Sequence, residues 1–292
     1  MLDRRSLLIG GGAALAPGIL TGRGSDASAQ AIATGLLPAQ LALRAGVLNL
    51  GPFPLRDASC GKDYSIQTLF GGRRYLRMEV RSGDNASWDK AGHRPVDRAE
   101  VVARAGPIGV IAYGQEFWQE WSMLIEDGEP ITSNWCLLWQ NHQLAEHPRI
   151  KVGVNPPFCF ALHTEGEPGL VVLTRHAAMA DVQPNGYIKP TKVYVDPAYP
   201  RGKWVKWRCR VRYGWQNDAL LQIWRDDVLV VDLTQPGFGL GYEWDSDGGH
   251  GAYAQFGIYR ATGLPTNPAE AVSEHRLAVH YRDYNLTVGP RN

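Results

Sequence analysis

Short extended segments separated by turn residues dominate this chain. In residues 75–84, Leu76, Met78 and Val80 alternate with charged side chains before a Ser-Gly-Asp turn. A two-residue period puts alternate side chains on opposite faces, which is typical of a strand with one buried face. Similar segments recur as far as residue 288, and long stretches with helical periodicity are nearly absent. The sequence therefore predicts an all-β sandwich of two packed antiparallel sheets.

No repeat, low-complexity tract or linker divides the 292 residues, so we assign residues 61–290 to one domain. All-β sandwiches of this size commonly form a single domain, and a jelly roll protects the edges of its sheets. Residues 30–60, rich in Ala, Leu, Gly and Pro, are interpreted as a leader segment. Residues 266–277 are the stretch in which we expect a short helix.

The first 29 residues have the pattern of an export signal. Arg4 and Arg5 precede an apolar stretch that is too short to span a bilayer as a helix, and Ala27–Ala29 fits a small-residue cleavage site. Twin arginines at this spacing resemble a bacterial Tat signal. We therefore expect a periplasmic or secreted protein, and an N-terminal membrane anchor is the alternative.

Removal of that signal leaves a chain without net charge. It takes away three of the 30 basic and two of the 29 acidic residues, so 27 of each sign remain with histidine neutral. This balance argues against a general nucleic-acid-binding protein. It still allows an anionic substrate where charges are placed locally. We expect a monomer that is free of the membrane after export.

The cysteines do not form a zinc motif. Cys60, Cys136, Cys159 and Cys209 contain no Cys-x-x-Cys pair, so a cysteine-rich zinc site is not expected. Disulfides are allowed in an exported protein, and four cysteines can pair in three ways. Free buried thiols are an equal alternative for the three cysteines that lie in apolar strand patterns.

The segment NWCLLWQNHQ, residues 134–143, places an amide and an imidazole two residues apart. Gln140 and His142 therefore share one face of a strand, and Trp139 and Asn141 share the other. Two polar groups on one face suit a site, but they also suit a solvated sheet surface. The pair by itself does not decide between the two.

Four motifs in a fixed order extend this observation. They are HRPVDRAEVVAR from residue 93, WCLLWQNHQ from residue 135, GKWVKWRCRVRYGW with LQIWRDD from residue 202, and YAQFGIYR from residue 253. In order and spacing they resemble the jelly-roll polysaccharide lyases of the heparin lyase and glucuronan lyase type, with alginate lyases as more distant relatives. The resemblance covers about residues 70–285. It implies a concanavalin-like jelly roll with a concave substrate cleft.

The resemblance also implies β-elimination on a uronic-acid polysaccharide. A base removes the proton at C5, an acid protonates the leaving O4, and the charge that develops on the C6 carboxylate must be neutralised. Gln140 would bind that carboxylate, and His142 would act as base or neutralising group. Tyr259 would be the acid/base tyrosine, with Tyr253 in reserve. Whether histidine or tyrosine is the base stays open.

The Arg-x-Glu pair and the loop before it complete the implied site. Arg98 is expected to contact the substrate carboxylate, and His93 is a second candidate base. Glu100 is expected chiefly to orient Arg98. Gln255 stands where relatives often have lysine, which removes a cation and argues against heavily sulfated polymers. The expected substrate-binding residues are Glu100, Tyr253, Gln255 and Trp139.

The acidic turn EWDSDGGHG, from residue 243, allows other interpretations. Glu243 and Asp245 resemble part of the carboxylate motif of jelly-roll glycoside hydrolases, but a glycine replaces its third acid. Asp245 and Asp247 also resemble part of a calcium loop without its remaining ligands. A plain Asp/Gly turn is the simplest interpretation. We expect no required cofactor and no metal in the site, with a structural Ca²⁺ as an alternative.

Together these features predict an exported lyase of a 1,4-linked uronate polymer. Glucuronan is the first expected substrate, ahead of heparin, heparan sulfate or alginate. A carbohydrate-binding protein that has lost catalysis is the alternative, and a glycoside hydrolase is a weaker one. A further strand carries four cations on one face, which we interpret as an exposed sheet surface outside the site: Lys206, Arg208, Arg210 and Arg212.

Overall fold

The computed structural model describes residues 48–49, 56–85, 96–103, 111–128, 135–143, 148, 154–162, 169–246, 251–261 and 276–289. The strands of the first half are β1 (Leu48–Asn49), β2 (Arg56–Ser59), β3 (Ile66–Gly71), β4 (Arg73–Val80), β5 (Val96–Ala103), β6 (Ile111–Ala112), β7 (Glu116–Ile125), β8 (Cys136–Gln143) and β9 (Phe158–Leu162). Those of the second half are β10 (Leu170–Thr174), β11 (His176–Ala177), β12 (Thr191–Asp196), β13 (Val205–Arg212), β14 (Leu220–Arg225), β15 (Val228–Leu233), β16 (Gly241–Tyr242), β17 (Gly251–Ala261) and β18 (Leu277–Val288). A helix, α1 (Glu243–Ser246), follows β16.

Two large sheets account for most of these strands. The back sheet has the order β15-β14-β13-β7-β18-β4-β3, and the front sheet has the order β12-β10-β9-β8-β17-β5-β2. All neighbours along both orders are antiparallel, while β1 joins β18 in parallel and β6 joins β17. The predicted sandwich of two antiparallel sheets is confirmed, and consecutive strands often lie in different sheets, as a jelly roll requires.

Apolar side chains from both sheets meet in one core. Trp121 of β7 stacks on Trp139 of β8, with ring centroids 4.2 Å apart and planes 9° from parallel. Phe256 of β17 stacks on the other side of Trp139 at 5.1 Å. These rings are completely or almost completely buried, so the aromatic stack joins the two sheets where the strands of the candidate site cross.

A bulge in β8 reverses the alternation of its side chains. The pairing of β8 with β9 shifts between Leu137 and Trp139, so Leu138 and Trp139 both face the core while Leu137 faces outward. From the back sheet, Tyr281 donates its hydroxyl to the carbonyl oxygen of Leu138 at 2.6 Å. Bulges re-aim side chains. Because of this one, Leu137 before the bulge faces outward, as do Gln140 and His142 after it.

Two amides in the core connect the sheets behind the candidate site. Gln119 Nε2 donates to Asn141 Oδ1 at 3.2 Å, and Asn141 Nδ2 donates to Gln119 Oε1 at 3.1 Å. Both side chains are completely buried. Since a buried amide without a partner is costly, this reciprocal pair fixes the position of β8 against β7. We call it the amide bridge.

Several sequence expectations can be compared with these strands. Within the segment that we interpreted as a leader, Arg56–Ser59 pairs with β5 as the edge of the front sheet. Four residues with two charges give a weak strand pattern, and the pairing comes from β5. Asp226 and Asp227 form the tight turn between β14 and β15, with φ of 47° and 65°. The short helix expected at residues 266–277 falls largely outside the described residues.

The structure decides between disulfides and free thiols. All four cysteines are free, and burial raises the pKa of the Cys136, Cys159 and Cys209 thiols.

In the described part of the chain, no helix has the length and hydrophobicity needed to span a membrane.

An ion network on the outer face of the back sheet makes stability depend on pH. Glu126 Oε1 accepts from Arg77 Nε at 2.6 Å and from His280 Nε2 at 2.7 Å, and its Oε2 accepts from Arg276 at 2.5 Å. Burial alone would raise the pKa of Glu126, but the hydrogen bonds from Arg77 and His280 outweigh it and lower the pKa from 4.5 to about 2. The network therefore stabilises the fold above the pKa of the unfolded state and is lost as pH falls toward 2.

We expect the free energy of unfolding to fall more steeply with acidification in the wild type than in Glu126→Gln. Urea unfolding at about pH 5 and about pH 3 measures this difference, because Glu126 takes up a proton on unfolding between the two pKa values. Equal losses in the two proteins over that range would contradict the role given to Glu126.

Candidate functional site

The candidate site lies on the front face, meaning the side of the front sheet that is turned away from the core. Strand pairing places its members in rows. Arg98 of β5 lies opposite Tyr259 of β17, Gln140 of β8 lies opposite Gln255, and His142 lies opposite Tyr253. Directly paired residues point the same way. The register thus brings together β5, β8 and β17, whose paired residues lie 40 to 155 positions apart in the chain.

Glu100 holds the centre of this group. Its Oε1 accepts from Gln140 Nε2 at 2.8 Å, and its Oε2 accepts from Arg98 at 2.7 Å and from Gln255 Nε2 at 2.5 Å. The carboxylate is completely buried. A buried charge has to be paired and hydrogen-bonded, and here one carboxylate orients a side chain from each of three strands.

Burial raises the pKa of the Glu100 carboxyl above its ordinary value, and the Arg98 guanidinium with the two amides opposes that shift. Both oxygens have donors and the side chain has no exposed surface. The binding of substrate by Glu100 itself therefore stays a prediction that its present contacts do not favour. The predicted orientation of Arg98 by Glu100 agrees with the 2.7 Å ion pair.

Arg98 also packs against the candidate tyrosine. Its guanidinium carbon lies 3.6 Å from the centroid of the Tyr259 ring, a cation–π contact. Trp135 meets the same ring edge-on, with centroids 4.9 Å apart. Tyr259 and Trp135 are both partly exposed. The phenol is therefore fixed on two sides and still reaches the surface of the front sheet.

His142 is the other partly exposed member of the group. Its Nδ1 lies 3.0 Å from the carbonyl oxygen of Gln143. A carbonyl only accepts, so in the neutral ring Nδ1 carries the proton and Nε2 carries the lone pair. Tyr253 lies beside the imidazole with ring centroids 5.6 Å apart and is 8% exposed. Of the two tyrosines, Tyr259 is thus the more accessible.

Trp139 does not belong to this face. It is completely buried between Trp121 and Phe256 in the core, so the prediction that it binds substrate is wrong. The alternation along β8 places it opposite to Gln140, and its large apolar ring fills the space between the sheets. His93, the second candidate base, lies outside the described residues.

Trp135 is the aromatic residue of this face that the sequence analysis did not select. Strict alternation from Gln140 turns it toward the core, but the bulge at Leu138 reverses that direction. Beside it lies a buried apolar cluster, against which Trp135 and Tyr259 pack. The cluster consists of Leu137, Cys159, Ala161, Val171 and Leu173, all of them 8% exposed or less.

The acidic turn does not supply paired catalytic carboxylates among the described residues. Glu243 and Asp245 lie in α1 rather than on a strand, Glu243 accepts from the backbone N–H of Met179, and Asp245 is 1% exposed. This arrangement gives no support to a hydrolase. Where the structure describes the chain, no three His, Cys, Asp or Glu side chains are grouped to hold a metal ion. Asp247 lies outside that part, so the structural Ca²⁺ stays a prediction.

The chemical capacity of the face follows from these contacts. It offers a guanidinium and amides held by one buried carboxylate, an imidazole with Nε2 as its basic nitrogen, and a partly exposed phenol. Cations and amides stabilise a carboxylate that gains negative charge, while imidazole and phenol can both move protons. Arg98, Gln140 and Gln255 are 6% exposed or less, so a substrate first meets His142, Tyr259 and Trp135.

Comparison with known proteins gives two consistent findings. The model of a family described as polysaccharide lyase matches residues 61–283. Among solved structures, the endo-β-1,4-glucuronan lyase from the fungus Trichoderma reesei superimposes with a TM-score of 0.57 at 13% identity, covering 82% of this chain and 93% of its own. A comparison with curated proteins found no match.

Two alginate lyases of polysaccharide lyase family 7 are also similar in structure. AlgAT5 has a TM-score of 0.54 at 11% identity, with coverage of 88% of this chain and 100% of its own. A1-II′ has a TM-score of 0.51 at 9% identity, with coverage of 79% and 85%. At such identities these similarities concern the fold, and they agree with the jelly roll that the sequence predicts.

Proposed function

The chain belongs to the polysaccharide lyase family, and from this premise we propose that it cleaves a 1,4-linked uronic-acid polysaccharide by β-elimination. The observation that carries the proposal is the group of Arg98, Gln140 and Gln255 held on Glu100 beside Tyr259 and His142. Elimination needs a neutralised carboxylate and two proton-transfer groups, and the front face offers both.

We assign the roles as follows. Arg98 and the second N–H of the Gln140 amide bind the C6 carboxylate and stabilise the charge that develops when the C5 proton leaves. Tyr259 transfers a proton at the bond that breaks, because it is partly exposed and fixed by Arg98 and Trp135. His142 is the second proton-transfer group, through Nε2. Gln255 supports Glu100 from the opposite strand.

We propose an unsulfated glucuronate polymer such as glucuronan as the first substrate. Three observations support this choice. Gln255 adds no cation to the face, the chain without residues 1–29 has no net charge, and the glucuronan lyase is among its structural neighbours. Heparin, heparan sulfate and alginate are the next candidates. We further propose that residues 1–29 direct export to the periplasm or medium, where the enzyme acts as a monomer.

Ultraviolet absorbance during incubation with glucuronan, heparin, heparan sulfate, alginate and hyaluronan tests this function. β-Elimination leaves a C4–C5 double bond conjugated with the carboxylate, which hydrolysis does not produce. We expect absorbance to rise with glucuronan. A rise with another polymer would replace the substrate assignment. Binding without any rise would favour a carbohydrate-binding protein, the alternative that the same face could serve.

Substitution of Gln140 by Ala tests the carboxylate contact. We expect kcat/KM to fall about 10²–10³-fold, as when one donor to a developing charge is removed. Gln255→Ala is the matched control, because Gln255 donates to the same Glu100 from the paired position of β17. If Gln140 only supported Glu100, the two variants would lose the same activity, and that result would contradict a direct contact.

A further inference from the structure

A groove of about 460 Å³ lies on the outer face of the back sheet, on the opposite side of the sandwich from the candidate site. Its floor is Ser122 of β7, which pairs with Lys206 of β13 on one side and with Arg282 of β18 on the other. Trp121, the preceding residue, points into the core. We call this depression the back groove.

The sequence explains why the outer surface of the sheet has a depression here. Ser122 has a short side chain between two long cationic ones, so the three form a channel across the strands. The pairing of β18 with β7 also shifts between Arg282 and Asn285, and Asp283 has a positive φ of 56° at that bulge. Bulges often mark places where side chains are re-aimed for binding.

The groove combines an aromatic ring with guanidinium groups that can donate hydrogen bonds. Trp204 is partly exposed and lines it, with the Arg282 guanidinium 4.1 Å above the ring. Arg282 Nε is buried and has no hydrogen-bond partner among the described residues, although the carboxylate of Asp283 lies 3.4 Å away. The side chain of Arg73 is 71% exposed, with its guanidinium 3.8 Å from the carboxylate of Asp283. Guanidinium groups bind carboxylates bidentately, and indole rings pack against apolar faces of sugars.

The same pattern continues along β13. Arg208 follows Lys206 on the same face, and its guanidinium carbon lies 4.5 Å from the ring centroid of Trp224. Its Nε is also buried without a hydrogen-bond partner in the described part of the chain. Arg210, next in line, is bound to both oxygens of Glu116 and is thereby occupied. Arg208 is not a lining residue of the groove, and of the cations that line it, Lys206 donates to Asp227 Oδ1 at 3.0 Å.

We propose that the back groove is a second, non-catalytic binding site for the anionic polysaccharide that the front face cuts. The identity of this polymer rests on the proposed function. Three cations and three acids line the groove, which suits a chain with one carboxylate and several hydroxyls in each sugar better than the dense phosphates of nucleic acid. They are Arg73, Lys206 and Arg282 with Glu120, Asp226 and Asp283.

The position of the groove determines what such a site does. The two sites lie on opposite faces, so one short oligosaccharide cannot occupy both, whereas a long polymer or a mesh of chains can. Binding at the back groove then raises the local concentration of polymer at the enzyme. It improves action on long chains and leaves action on short ones unchanged.

Calorimetric titration with a glucuronate tetrasaccharide tests the inference. In the Tyr259→Phe enzyme, which should not consume the ligand, we expect two binding events. Adding Ser122→Trp fills the floor of the groove and should remove one of them. Arg212→Ala, which removes a cation from the same face of β13 outside the groove, is the matched control and should keep both. Arg282→Ala replaces Ser122→Trp if circular dichroism shows that the latter does not fold.

Kinetics provide the second measurement. In otherwise wild-type protein, Ser122→Trp should lower kcat/KM on polymer about tenfold and leave kcat/KM on the tetrasaccharide unchanged. Binding that Ser122→Trp does not alter, or no binding at all, would overturn the inference. A protein that yields no unsaturated product from any polymer, but loses a binding event with Ser122→Trp, would overturn the proposed function and leave the back groove standing.

Discussion

Tyr259→Phe should lower kcat on the polymer about a thousandfold, because it removes the hydroxyl that we assign to proton transfer. The ring contacts are retained, since Arg98 and Trp135 both pack against the aromatic ring. Stability and polymer binding should therefore stay close to wild type. The assay is the rise in ultraviolet absorbance, together with thermal unfolding of the same preparation.

Tyr253→Phe is the control for this variant, because Tyr253 shares the strand and the face but is 8% exposed. We expect it to retain much more activity. If Tyr253→Phe were inactive and Tyr259→Phe active, the roles of the two tyrosines would have to be exchanged. Equal activity of both variants with wild type would exclude a tyrosine as the proton-transfer group.

Glu100→Gln should reduce both stability and activity. It removes the carboxylate that pairs with the buried guanidinium of Arg98 at 2.7 Å, and removing one partner of a buried ion pair costs about 3–5 kcal/mol. The amides of Gln140 and Gln255 lose a charged acceptor at the same time. We expect the folded fraction of the variant to have a kcat at least about a hundredfold lower, because the groups that face the substrate are no longer fixed.

Asp97→Asn separates these two effects. Asp97 is a completely buried residue of β5 that pairs with Arg260 at 2.9 Å, one position away from Arg98. We expect a comparable loss of stability, measured by urea unfolding, with most of the activity per folded molecule retained. If the two variants lost activity in proportion to stability alone, Glu100 would have no positioning role beyond that of any buried ion pair.

The sequence predicted the strands well because the alternation of apolar and polar residues within a strand shows which side chains are buried. In β5, for example, Ala99 and Val101 lie in the core and Arg98 and Glu100 lie on the other face, which is the division that alternation gives. It could not show that Glu100 binds Gln140 and Gln255, which lie 40 and 155 residues further along the chain. Such contacts depend on the order of the strands in the sheet. Alternation within one strand gives no information about that order.

Bulges within strands were the other feature that the sequence did not predict. Leu138 adds one residue to β8, and no feature of an apolar run distinguishes an inserted residue from a regular one. Trp135 therefore escaped selection. Trp139 was selected because aromatic rings suit sugars, although its alternation already turned it inward. Composition indicates what a residue type is good for, and the position in the sheet decides whether it can be used.

The amide bridge has a consequence for how the chain arrives at this arrangement. A slip of β8 by one residue would exchange the inward set for the outward set, moving His142 into the sandwich and Asn141 out of it. Gln119 would then lose both bonds to Asn141 and keep only the 3.4 Å bond to the Tyr284 hydroxyl, and its unpaired amide oxygen would cost about 1–3 kcal/mol. Misaligned forms are therefore disfavoured. The amide bridge thus favours the native register of β8. Replacing both amides by leucine should preserve much of the stability yet weaken the discrimination between registers, so that some molecules fold with an incorrectly faced catalytic strand.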